Sequence, residues 1–94
     1  MVIGLEYILD LYSMTGTELA DDLKIKKQNI SRWFKGVRKI PVKYLDILED
    51  KFKIPKEYIT KNVRESDKLI IQKYKIENED NEKKQLYQLE YDIK

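Results

Sequence analysis

Apolar residues recur at three- and four-residue spacing, in short blocks, over about the first 60 residues of this 94-residue chain. This spacing places the apolar side chains of each block on one side of an amphipathic helix. The three glycines and two prolines are too few for the many turns of a β-sandwich. The pattern therefore predicts an all-α fold, with several short helices around one modest core.

Capping and turn residues separate these blocks into successive helices. The first helix is expected at about residues 2–12. Thr15 precedes Glu18 by three residues, which is the spacing of a capping box and predicts a second helix at about residues 16–23. Gly36 favours the left-handed conformation found just past a helix end. It predicts the end of the third helix.

The third helix, at about residues 26–35, has two chemically different sides. Ile30, Phe34 and Trp33 are expected to pack into the core. The opposite side is polar and carries Lys27, Gln28, Ser31, Arg32 and Lys35. A fourth helix is expected from about Pro41 to residue 52, and a short fifth helix at about residues 55–60.

Positive charge is concentrated in one stretch of the sequence. Residues 24–43 contain eight Lys and Arg residues and no acidic residue, although the net charge of the chain is only +2. The eight are Lys24, Lys26, Lys27, Arg32, Lys35, Arg38, Lys39 and Lys43. An acid-free run of this length is more typical of a nucleic-acid-binding face than of a solvated helix surface, where both signs are mixed.

The residue types that are absent exclude most catalytic chemistry. The chain has no cysteine and no histidine, which removes thiolate zinc sites, disulfides, catalytic triads and the commonest general base. The carboxylates Asp21, Asp22, Asp46, Glu49 and Asp50 fit a solvated helix face better than a metal pair. We therefore expect no catalytic residue, no metal and no cofactor.

The start of the chain predicts a cytoplasmic protein. An acidic residue stands where a signal peptide needs a basic flank, and no apolar run approaches the roughly 20 residues that span a bilayer. No membrane partner is expected.

Three groups of residues between about positions 5 and 60 follow one another in a recognisable order: Thr15-x-x-Glu18-Leu19-Ala20-x-x-Leu23-x-Ile25, then Ile30-Ser31-Arg32-Trp33-x-x-Gly36-x-Arg38-x-Ile40-Pro41, then Leu45-x-x-Leu48 and Phe52-x-Ile54. In these residues the chain resembles the Cro-type helix-turn-helix family, also called the lambda-repressor-like or xenobiotic-response-element type. The sequence departs from the family at Lys24, where a glycine commonly lies in the turn between helices two and three. A lysine there must adopt a less favoured backbone conformation, or the turn must change.

The resemblance implies a five-helix domain that binds double-stranded DNA, with helix two across the backbone and helix three in the major groove. By position, the residues that would face base edges are Lys27, Gln28, Ser31 and Arg32. Those that would contact phosphates are Thr15, Gly16, Thr17, Lys35, Arg38 and Lys39. The side-chain chemistry agrees, since glutamine pairs with adenine while arginine and lysine pair with guanine or phosphate.

Residues 63–94 contain no glycine or proline and are expected to be helical, following a DNA-binding domain at residues 1–62. They form either one long rod or two helices broken near residues 78–81. Two apolar clusters in this segment exceed the needs of a five-helix core and predict an oligomerisation surface. Its expected residues are Leu69, Ile70, Ile71, Tyr74, Leu86, Leu89 and Ile93. The alternative is that the segment folds back on its own domain.

The function predicted from these observations is a sequence-specific transcription repressor of the phage, plasmid or mobile-element type, acting as a homodimer or a higher oligomer. It would bind a pseudo-palindromic operator and associate with the nucleoid through its DNA. The alternative is an antitoxin-like regulator whose C-terminal helix binds a different protein.

Overall fold

The computed structural model describes the backbone of residues 2–92 and the side chains of residues 2–80. Regular structure in that part of the chain is helical, apart from an isolated antiparallel bridge between Ile3 and Asn62. The helices are α1 (Gly4–Leu11), α2 (Gly16–Leu23), α3 (Lys27–Phe34), α4 (Val42–Phe52), α5 (Lys56–Thr60) and α6 (Glu65–Asp92). The prediction of an all-α fold with five short helices and a helical C-terminal segment is confirmed.

Helix α1 begins at Gly4, two residues later than its apolar pattern predicts, because the residues before it are extended. The N–H of Val63 donates to the carbonyl of Val2 over 2.9 Å, and the N–H of Gly4 donates to the carbonyl of Lys61 over 2.8 Å. A side-chain pattern does not reveal such main-chain pairing. These bonds join the start of the chain to the segment that precedes α6.

The hydrophobic core receives buried side chains from all six helices. Its largest fully buried members are Leu5, Ile8, Leu19, Ile30, Leu48, Ile54, Ile59 and Ile71. Trp33 is buried as predicted, and Phe34 is half-buried against the same core. Burial of these apolar surfaces is the main force that holds helices of only five to eleven residues together.

Helix α6 is one continuous helix of 28 residues, which decides between the two forms expected for this segment. Its first four turns pack on the domain. The amide of Gln72 donates to the hydroxyl of Tyr7 over 2.6 Å, and the amide of Asn78 donates to the carbonyls of Phe52 and Lys53 at the end of α4, over 3.4 and 3.2 Å. These bonds fix the direction in which α6 leaves the domain.

The expected oligomerisation residues divide into four groups. Ile71 is fully buried in the core of its own chain, so its assignment to a partner surface is corrected; α6 turns this residue toward the domain. Tyr74 is half-buried, with its ring centroid 6.2 Å from that of Tyr58. Leu69 and Ile70 are exposed. The side chains of Leu86 and Leu89, and Ile93 as a whole, lie outside the described residues.

Among the described helices, none combines the length and the apolar character required to cross a bilayer.

Candidate nucleic-acid interface

Helices α2 and α3 are held in a fixed relation by the cap and the turn that flank α2. The hydroxyl of Thr15 accepts the N–H of Glu18 over 3.1 Å, and the N–H of Thr15 donates to the Glu18 carboxylate over 3.2 Å, which completes the predicted capping box. Lys24 ends α2 in the left-handed conformation, at φ 57° and ψ 44°. The lysine therefore accepts the conformation for which glycine is favoured, at a cost of about 1 kcal/mol.

The start of α2 lies directly against the side of α3. A methyl group on Gly16 would come within 3.3 Å of Cγ2 of Ile30 and 3.6 Å of the Phe34 ring. On the far side of α3, the Trp33 ring packs against Tyr44 of α4 with 5.6 Å between ring centroids. Helix α3 is thus held from both sides, and only its polar side is left to solvent.

An open groove of about 390 Å³ runs between the start of α2 and α3. Five of the predicted DNA-contacting residues line it: Gly16, Thr17, Lys27, Gln28 and Ser31. Ile30 and Phe34 line it too. The structure therefore brings together main-chain and side-chain donors that are up to 15 positions apart in the sequence.

The remaining predicted contacts lie outside this groove. Arg32 and Lys35 are exposed and follow Gln28 by one and two turns of α3. The hydroxyl of Thr15 donates to the Glu18 carboxylate over 3.1 Å, so it is already engaged in the cap. Its observed role is to begin α2.

The chain leaves α3 through a Schellman motif, which directs the basic loop that follows. The N–H of Val37 donates to the carbonyl of Arg32 over 3.0 Å, and the N–H of Gly36 donates to the carbonyl of Trp33 over 3.2 Å. Gly36 has φ +72°, as its predicted role at the helix end requires. Arg38 and Lys39 follow in this loop, and both are exposed.

The lysine and arginine side chains differ in ion pairing between two segments of the described chain. All seven lysines between residues 51 and 75 form ion pairs with carboxylates: Lys51, Lys53, Lys56, Lys61, Lys68, Lys73 and Lys75. None of the eight cations in residues 24–43 forms an ion pair within residues 2–80. Within residues 2–80, the basic stretch therefore carries unneutralised charge, whereas the lysines of residues 51–75 are neutralised by carboxylates of the same chain.

Lys43 belongs to this basic surface, although it is not among the residues for which the family resemblance implies a DNA contact. It is exposed in the first turn of α4, with its ammonium 4.9 Å from the centroid of the Tyr44 ring. Its place in the acid-free run was the signal that could have identified it. Lys26, exposed at the start of α3, extends the surface in the same way.

The carboxylates near α4 have structural partners. Asp22 pairs with Lys51 over 3.0 Å and joins α2 to α4, while Glu49 accepts the N–H of Lys56 over 3.0 Å at the start of α5. Across the described side chains, no group of three or more potential ligands is arranged to hold a metal ion.

Comparison with known proteins agrees with this geometry. A family model described as helix-turn-helix matches residues 5–59. No curated protein and no solved structure matches the chain.

Proposed function

The chain belongs to the helix-turn-helix family of the lambda-repressor-like, xenobiotic-response-element type, and on this premise we propose that it represses transcription as a dimer bound to a specific operator. Membership of the family makes it a DNA-binding regulator. The residues that read the operator, the dimeric state and the direction of regulation are the parts that we propose.

The contrast between paired and unpaired cations is the observation that carries the proposal. Double-stranded DNA presents about one phosphate charge per 1.7 Å of its axis, and a protein gains affinity when its cations displace the counterions of those phosphates. Cations already paired with carboxylates of the same chain would contribute little. The eight cations in residues 24–43, which form no ion pair with the described side chains, therefore define the side that we expect to face DNA.

We propose a division of labour along α3. Lys27, Gln28, Ser31 and Arg32 contact base edges. Lys35, together with Arg38, Lys39 and the start of α2 at Gly16 and Thr17, contacts phosphates. The groove between α2 and α3 supports this division. In the docking of this motif, the first turns of the reading helix enter the major groove while the N-terminus of the preceding helix lies at the DNA backbone. The first turn of α3 and the N-terminus of α2 line this groove together.

A dimer follows from the size of the reading surface. The exposed side of an eight-residue helix contacts few base pairs, while two copies can bind half-sites about 34 Å apart and multiply their discrimination. We propose that α6 brings the second copy. Its exposed Leu69 and Ile70 are apolar, and its C-terminal part extends past Asn78, whose amide bonds to the end of α4.

Selection of duplexes from a genomic-fragment library, at two salt concentrations, tests the proposal. We expect a small set of related sequences to be enriched and their affinity to fall steeply with salt. Lys35→Ala is matched with Lys73→Ala, which removes the same charge from an exposed residue of α6. A wild-type chain that binds no duplex, or equal losses in the two variants, would contradict the proposal.

A further inference from the structure

A second cavity, of about 500 Å³, opens beside the C-terminal end of α3, away from the groove described above. Its apolar lining comes from Ile3, Trp33, Ile40, Val42 and Leu45. These residues belong to the start of the chain, to α3 and the loop after it, and to α4. The volume lies within the range of about 300–1,000 Å³ that is usual for small-molecule sites.

The cavity is apolar at its base and cationic at its edge. Trp33 is 4% exposed and Ile40 is 8% exposed, whereas Val42 at the rim is 70% exposed. Arg38 and Lys39 also line the cavity, and neither forms an ion pair within residues 2–80. No acidic side chain is among the described residues that line it.

The apolar base and the cationic edge indicate which chemical class of ligand the cavity would bind. A neutral apolar molecule would gain nothing from the two exposed cations, and a purely ionic one would leave the apolar base in contact with water. A small molecule with one anionic group and an apolar body satisfies both parts. The positive end of the α4 dipole adds to the attraction, because α4 begins at the rim with Val42 and has no side-chain cap.

We propose that this cavity binds a small amphipathic carboxylate, with its apolar body against Trp33 and Leu45 and its carboxylate between Arg38 and Lys39. Under the proposed function, on which this step rests, the same two cations contact DNA phosphates. The ligand and the operator then compete for them, and each weakens the binding of the other by the same factor. The cavity is in this way an effector site that releases the protein from DNA.

Trp33 provides the readout, because it is the only tryptophan of the chain and lies in the cavity lining. Tryptophan fluorescence of the DNA-free protein is titrated with 4-phenylbutyrate and, separately, with its uncharged analogue 4-phenylbutyramide. We expect a saturable change with the carboxylate, and binding of the amide weaker by about tenfold or more. No saturable change, or equal affinity for both compounds, would overturn the proposal.

A matched pair of variants on α4 tests the position of the site. Val42→Glu places a carboxylate at the rim and should weaken 4-phenylbutyrate binding by about tenfold or more. Ile47→Glu adds the same charge to the same helix, at a residue that is 47% exposed and does not line the cavity, and it should leave the affinity unchanged. Equal effects of the two variants would mean that the probe binds elsewhere, which overturns the assignment.

Competition is measured with a duplex that the protein selects. Saturating 4-phenylbutyrate should raise its apparent Kd by about fivefold or more, while 4-phenylbutyramide should not. An unchanged Kd in the presence of bound ligand would overturn the effector role. If the protein selects no duplex, the proposed function is contradicted. The fluorescence titration then still shows whether the cavity binds the carboxylate.

A second copy of the chain is the competing occupant of the cavity. In that case Trp33 fluorescence would change with protein concentration alone, and Val42→Glu would reduce a dimer to a monomer in sedimentation equilibrium. That pair of results would overturn the small-molecule proposal.

Discussion

Gly4 and Tyr58 approach so closely that a methyl group on Gly4 would overlap the main-chain carbonyl oxygen of Tyr58. Main-chain atoms cannot move aside as a flexible side chain can, so α1 and α5 would have to separate. We predict that Gly4→Ala lowers the free energy of unfolding by about 3 kcal/mol or more, measured by urea denaturation. Gly36→Ala is the control.

At Gly36 nothing lies within 4 Å of an added methyl group, and only its φ of +72° opposes the substitution. The expected loss is therefore about 1 kcal/mol. Equal losses in the two variants would show that the contact between α1 and α5 does not limit stability.

The local parts of this fold could be predicted because their signals lie within a few residues. The capping box of Thr15 and Glu18 and the left-handed Gly36 each fix a helix end through neighbouring main-chain groups. The candidate interface was predictable for the same reason, since α2 and α3 follow each other directly. The acid-free run then indicated which side faces outward.

The remaining features depend on tertiary contacts that no local pattern contains. The apolar residues of α6 indicated a buried surface, but the sequence does not show which surface covers them. In the structure, Ile71 packs in the core of its own domain. The pair of Asp22 and Lys51 joins residues 29 positions apart. This ion pair could be identified only from the packing of α2 against α4.

Lys24 and Lys53 end α2 and α4 in nearly the same left-handed conformation, at φ 57° and 56°. Replacing either lysine with glycine should raise the free energy of unfolding by about 0.5–1 kcal/mol, because glycine adopts this conformation without steric cost. Only Lys24→Gly should also weaken DNA binding, since Lys24 belongs to the unpaired basic surface, whereas Lys53 pairs with Asp50. Equal DNA affinity of the two variants would show that Lys24 does not contribute to the interface with DNA.

Replacing Arg32 or Lys35 with alanine is expected to change DNA binding in two different ways. Loss of a guanidinium that pairs with a base should cost about 1–3 kcal/mol of discrimination at one operator position. Loss of a phosphate contact should weaken all sequences alike and reduce the slope of log affinity against log salt by about 1. Affinities for an operator and for single-base variants of it, at several salt concentrations, distinguish the two. The same pattern in both variants would contradict the assignment.

Asp67 should make stability depend on pH in the acid range. Its carboxylate accepts the N–H of Arg64 over 2.9 Å and the ammonium of Lys61 over 2.9 Å, and these bonds, the main-chain one first, hold its pKa below the ordinary 3.8. A pKa lower in the folded than in the unfolded state stabilises the fold above the unfolded value, and this contribution is lost as the pH falls through the folded value. We expect urea unfolding of Asp67→Asn to lack this portion of the pH dependence.

The control for Asp67 is Asp50→Asn, which removes a carboxylate from an exposed ion pair with Lys53. Exposed pairs of this kind contribute little to stability. Its stability curve below about pH 4 should therefore follow that of the wild type. If Asp67→Asn follows the wild type as well, the N-terminal cap of α6 does not depend on this carboxylate.

The continuation of α6 decides where a truncation can test oligomerisation. Removing residues 66–94 would delete Ile71 from the core, so any change of mass would be confounded by unfolding. A chain that ends at residue 80 keeps Ile71 and the bonds of Asn78 to α4, and we expect it to keep the helical domain folded, with a single cooperative urea transition.

The helical residues that this truncation removes continue α6 beyond residue 80. We propose that a second copy packs on them. Loss of this contact should convert a dimer into a monomer by light scattering, and it should lower affinity for a two-half-site operator far more than for one half-site. An unchanged mass would remove α6 from the dimer interface. A different protein bound in a fixed ratio by the full chain, and lost on truncation, would favour the antitoxin-like alternative, because the same face would then be covered by a partner of another kind.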